Sequence, residues 1–144
     1  MLEIAVRTAG DERRETQMDA PGFVLIIEDD ELVGPLLVSM LSTQGLLSRL
    51  CTEPAEARSL MRGAVAVVCD LYLKEESGFA LIRRLRDAGF AGPIVAVSGS
   101  GDVDTVIQAA KAGADDFRGK PFSGPSLAAT VKKLIAAKGQ VASS

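Results

Sequence analysis

Apolar and polar positions follow two periods along this chain. Phe23-Val24-Leu25-Ile26-Ile27 is a continuous apolar run, as expected of a strand buried on both faces. Ala64 to Cys69 and Pro93 to Val97 repeat it, and Leu46 to Leu50 and Asp115 to Arg118 are weaker versions. Between the strands the period lengthens. Glu31 to Gln44 sets Leu32, Leu36, Leu37, Met40 and Leu41 at helical spacing, and Gly45 closes the helix. Pro54 to Met61, Phe79 to Ala88, Asp102 to Ala112 and Ser126 to Ala137 read as further helices. Strand and helix alternate five times, which predicts a parallel sheet covered on both faces, a doubly wound α/β sandwich.

The ends break this rhythm. Residues 1–21 contain the mixed charge run Asp11-Glu12-Arg13-Arg14-Glu15 and close at Pro21-Gly22, so they are expected to be a flexible leader. The domain is expected to occupy residues 22–138, with 139–144 a frayed tail.

Composition sharpens the picture in three ways. A chain of 144 residues that is 47% hydrophobic has material for one core, and with no Trp and one Tyr that core is aliphatic. The net charge of −3 argues against a nucleic-acid surface, and no run is long enough to span a bilayer. No signal peptide is visible, and Cys51 and Cys69 lack metal spacing, so free thiols in a cytoplasmic protein are expected. The most informative count is zero His. It excludes a Ser-His-Asp triad, a Cys-His pair and an HExxH zinc site.

In a doubly wound sheet, ligands sit outside the carboxyl ends of the strands. There the sequence places Glu28-Asp29-Asp30 after the first strand, Asp70 after the third, Ser98-Gly99 after the fourth and Lys120-Pro121 after the fifth. Each piece alone has an ordinary role as a helix cap, a turn residue or a solvated charge. Together they converge several carboxylates that repel one another. A hard cation such as Mg²⁺ would neutralise them. A lysine and a hydroxyl could receive phosphoryl oxygens, and an Asp can attack phosphorus, so phosphoryl transfer needs no His here.

The ordered segments Val24-Leu25-Ile26-Ile27-Glu28-Asp29-Asp30, Val67-Val68-Cys69-Asp70-Leu71 with Gly78 beyond, Pro93 to Gly99, Ala112 to Phe117 and Lys120-Pro121-Phe122 resemble the receiver domain of two-component response regulators. The resemblance covers about residues 22–138 and is closest to stand-alone, chemotaxis-regulator-like receivers. It implies a flavodoxin-like (βα)5 sandwich with strand order 2-1-3-4-5. It implies Asp70 as phosphoacceptor and Mg²⁺ held by Glu28, Asp29, Asp70 and the Tyr72 backbone carbonyl. Ser98 and Lys120 would bind phosphoryl oxygens, Ser98 and Phe117 would form the switch, and the Lys120-Pro121 peptide would be cis. The implied partners are a histidine kinase or His-phosphotransfer protein and a downstream protein effector. The effector would be reached through the fourth helix, fifth strand and fifth helix, with no direct contact to nucleic acid or membrane. The protein would be a monomer or a weak homodimer through that same face. It would be a signalling module with intrinsic phosphotransfer and autodephosphorylation chemistry rather than an enzyme.

Three positions depart from the usual pattern: Lys74 stands where Pro is common, Phe117 where Tyr is, and Ser98 where Thr is frequent. Arg83-Arg84-Leu85-Arg86 and Lys132-Lys133 are expected to be solvated helix faces. Alternatives are a phosphorelay intermediate and an unphosphorylated receiver-fold scaffold. A haloacid-dehalogenase-type phosphatase would need DxDx[TV] after the first strand, where Glu28-Asp29-Asp30-Glu31 stands. A flavin-binding flavodoxin would need a Ser/Thr/Gly-rich phosphate loop there.

Overall fold

The computed structural model describes residues 22–143, with side chains through 138. The expected leader, 1–21, lies outside the described residues. The strands are β1 (Phe23–Ile27), β2 (Ser48–Cys51), β3 (Ala64–Asp70), β4 (Ile94–Ser98) and β5 (Asp116–Gly119). The helices are α1 (Val33–Thr43), α2 (Ala57–Leu60) behind a single 3₁₀ turn (Pro54–Glu56), α3 (Gly78–Asp87), α4 (Val103–Ala112) and α5 (Gly124–Ser143).

All strand pairs are parallel, in the order β2-β1-β3-β4-β5, as the sequence led us to expect. The continuous apolar runs are explained by the two faces they fill. Phe23, Leu25, Ile27, Val67, Cys69 and Ala96 pack toward α2, α3 and α4, against Leu81, Ile82, Leu85 and Ala109. Val24, Ile26, Ala66, Val68, Val95 and Val97 face α1 and α5, against Leu37, Leu41, Leu127 and Val131. Successive residues on one strand therefore enter opposite cores, and neither face of β1, β3 or β4 meets water at its centre.

Helix boundaries follow local capping chemistry. The Ser77 hydroxyl accepts from the Phe79 and Ala80 N–H groups to open α3, and Asp102 accepts from Thr105 N–H to open α4. Gly113, at φ +124°, closes α4 in a conformation that side chains rarely adopt. The expected helix from Pro54 splits into a 3₁₀ turn and one α-turn. The last helix starts two residues earlier than Ser126, where the Ser123 hydroxyl accepts from Ser126 N–H, and its helical backbone continues through 139–143. Among the described residues, no helix is long and apolar enough to cross a membrane.

Candidate functional site

The parallel register aligns the carboxyl ends of β1, β3, β4 and β5. Ile27 pairs with Cys69, so Glu28 follows beside Asp70; Asp70 pairs with Val97, and Ser98 with Gly119. Residues far apart in sequence thus share one rim. Oxygens of Glu28, Asp29 and Asp70 lie within 4.8 Å of one another. Lys120 reaches in from beyond β5, with Nζ 3.3 Å from Glu28 Oε1 and 3.7 Å from Asp70 Oδ2.

This arrangement leaves negative charge in excess. Glu28 is 1% exposed and Asp70 6%, and Lys120 is the one cation within 4 Å of either among the described residues. Burial pushes the Glu28 carboxyl above its ordinary pKa, and the Asp70 charge adds to the rise. The Asp30 N–H donates to Glu28 Oε2 at 3.2 Å, and that bond with Lys120 opposes the rise without cancelling it. Three carboxylates offering hard oxygen donors against one ammonium fit a hard divalent cation.

Each predicted residue has a definite place. Asp29 Oδ2 accepts from the Lys74 N–H at 2.7 Å, which ties the β1–α1 loop to the β3–α3 loop. Asp30 points away from the cluster. Its Oδ1 accepts from Leu32 and Val33 N–H at 2.8 and 3.0 Å, opening α1 and lowering the Asp30 pKa. Tyr72 N–H donates to Asp70 Oδ1 at 3.3 Å. Ser98 is fully buried, and its Oγ accepts from Ser100 N–H at 3.0 Å. Its carbonyl accepts from Lys120 N–H at 2.7 Å, so Ser98 and Lys120 are joined through the backbone. The Lys120-Pro121 peptide is cis, as anticipated. Phe117 is partly buried on the α4 side, with its ring beside Gly101 and Gly119.

A family model described as the response regulator receiver domain matches residues 24–132. The chain belongs to the response regulator receiver family. It is 33% identical over 114 residues to the transcriptional regulatory protein PmrA of Pectobacterium parmentieri, covering 78% of this chain and 51% of that one. It is 30% identical over 116 residues to the cell cycle transcriptional regulator CtrA of Caulobacter vibrioides, covering 78% and 49%. The chain therefore spans about half the length of these curated relatives. A solved CheY-like receiver domain protein from Methanospirillum hungatei superimposes with a TM-score of 0.76 at 17% identity, over 84% of this chain and 98% of that one. A Burkholderia pseudomallei response regulator, described with a phosphorylated aspartic acid and a calcium ion, matches at TM-score 0.71 and 27% identity, over 83% and 71%.

Several contacts around this receiver's site carry no sequence signal. The Lys74 contribution is a backbone N–H, which any residue but Pro would supply. Gly78 was legible only as a spacing. A Cβ there would stand 2.2 Å from the Asp70 carbonyl oxygen and 2.5 Å from Leu71 Cα, so only Gly lets α3 start this close to the end of β3. The arginine run is corrected. Arg84 forks onto Glu76 at 2.9 and 3.1 Å and reaches the Pro54 carbonyl at 3.3 Å. Arg86 is a buried-side clamp rather than part of a solvated face. Its guanidinium donates to the carbonyls of Phe90, Gly92 and Gly113 at 2.6–3.0 Å and to Asp115 Oδ2 at 2.9 Å.

Proposed function

We propose that this receiver accepts a phosphoryl group on Asp70 from a partner histidine kinase or His-phosphotransfer protein, and passes the change to a protein partner through α4, β5 and α5. The observation that carries the reading is the convergence of Glu28, Asp29 and Asp70 within 4.8 Å, with Lys120 3.7 Å from Asp70.

An Asp70 carboxylate oxygen forms the new bond to phosphorus. The bond from phosphorus to the donor's histidine nitrogen breaks, and that nitrogen keeps the electron pair. Glu28 and Asp29, with Asp70 and the Tyr72 carbonyl, would hold Mg²⁺. Bound there, it supplies charge neutralisation and a template for phosphoryl oxygens. Lys120 is poised to meet one phosphoryl oxygen, and doing so draws it from Glu28. Ser98 supplies a hydroxyl one strand away, and Lys120 N–H already donates to the Ser98 carbonyl, so the new charge is felt where β4 and β5 end. Phe117, partly buried beside Gly101 and Gly119, is the group on that face with room to respond.

The chemistry is a phosphoacceptor's, with intrinsic transfer and loss of the phosphoryl group, in a cytoplasmic setting. Asp70→Asn is expected to abolish modification. Borohydride trapping and peptide mapping of the wild type should place the label on Asp70. A label on Asp29 or Asp30 with Asp70 untouched would overturn the assignment.

A further inference from the structure

The loop between β3 and α3 is tied at two points. At its far end Glu76 is held by the Arg84 fork at 2.9 and 3.1 Å. At its near end the Lys74 N–H donates to Asp29 Oδ2 at 2.7 Å, across 45 residues of sequence. Asp29 is a member of the acidic cluster, and with this bond made its carboxylate lies with an oxygen within 4.8 Å of those of Glu28 and Asp70. Fixing one oxygen by a rigid backbone donor restricts how the carboxylate rotates. The orientation of the carboxylate toward the cluster is then set in advance. Ligand carboxylates held by an outer hydrogen bond bind metal more tightly than free ones.

We propose that the backbone N–H of Lys74 is a positioning group for the metal site: it orients Asp29 and so sets the Mg²⁺ affinity of this receiver. The inference rests on the metal-dependent reading above and adds a residue to it. The lysine side chain is exposed, and its ammonium bears on the neighbouring Asp30 through charge alone, which Lys74→Ala removes as well. Only a residue with an N–H can do this, so Lys74 in place of a proline changes the site through its backbone.

The test compares Lys74→Pro with Lys74→Ala in the full chain. Both lose the ammonium, and only the first loses the N–H. Mg²⁺ is the titrant. The readout is the fluorescence of Tyr72, the sole tyrosine in a chain without tryptophan, which sits two residues from Asp70. Lys74→Pro should bind Mg²⁺ about tenfold or more weakly than Lys74→Ala, which should stay close to the wild type. A wild type that gives no Mg²⁺ response would sink the metal reading itself. Equal affinities in the two folded variants, or tighter binding by Lys74→Pro, would overturn the positioning role alone. If Lys74→Pro does not fold, the wild-type Lys74 amide decides the matter by nuclear magnetic resonance. It should stay protected from hydrogen exchange when Mg²⁺ saturates, and loss of protection on loading would overturn the proposal.

Discussion

The two ends of the sheet treat charge in opposite ways. At the carboxyl ends of β1 and β3, three carboxylates crowd together and Lys120 stands against two of them at 3.3 and 3.7 Å. At the amino ends of β4 and β5, Arg86 is saturated. It binds three backbone carbonyls and Asp115, while Asp115 also accepts from Ile94 N–H at 2.9 Å and sits 3.7 Å from Lys138. Charge with every donor and acceptor matched holds elements together. Charge left in excess, on buried acids that repel, is poised for a cation and a phosphoryl group. The amino end is matched to hold the fold together, and the carboxyl end is the one left open to a ligand.

Removing the clamp should give the largest effect. Arg86→Ala leaves three carbonyls and Asp115 short of a donor, and should cost about 3 kcal/mol in urea unfolding. Arg86→Lys should recover little, because an ammonium cannot reproduce the fork. The Mg²⁺ response of Arg86→Ala should persist. A loss below about 1 kcal/mol would place Arg86 among ordinary surface charges.

Filling the other end should stabilise it. Mg²⁺ at ~100 times its dissociation constant should add about 2.7 kcal/mol, read as a rise in melting temperature. Asp29→Asn should abolish that rise while leaving the metal-free protein as stable as before or more so. A full Mg²⁺ response in Asp29→Asn would move the site elsewhere.

The smallest effect is on pH dependence. Glu28 titrates above its unfolded value in the fold, so its protonated form is the one folding favours. That contribution is complete below the ordinary glutamate pKa and disappears as pH rises through the raised one. Metal-free stability should therefore show a component that falls with rising pH across that window. Glu28→Gln should remove it, and saturating Mg²⁺ should mask it. The same falling component in Glu28→Gln would assign it to another group.

The same contrast explains what the sequence could reveal. The strand–helix alternation and both cores were legible because Val24 and Leu25, like Val67 and Val68, enter opposite faces and leave an unbroken apolar run. The site was legible because its residues close the strands, and a parallel sheet aligns strand ends whatever the loops do. Arg86 was not legible. Beside Arg83 and Arg84 it looks like any solvated run, and three of its partners are backbone carbonyls, which leave no trace in composition. Lys74 was visible only as a departure from a proline, with no indication that its amide would meet Asp29. The cap of the last helix lay in Ser123, just upstream of where the apolar period begins.

The central claim is that the unmatched carboxylates at the sheet's carboxyl end form a metal-dependent phosphoacceptor site. The most direct measurement is the intact mass of the purified protein under three conditions: ATP with Mg²⁺, acetyl phosphate with Mg²⁺, and acetyl phosphate with chelator. One added phosphate is expected in the second condition alone. Asp70 supplies the nucleophile there, while no GxxxxGK[ST] loop or His is present to draw phosphate from ATP. Labelling from ATP alone, or no labelling of the folded protein by acetyl phosphate and by phosphoramidate, would contradict the account.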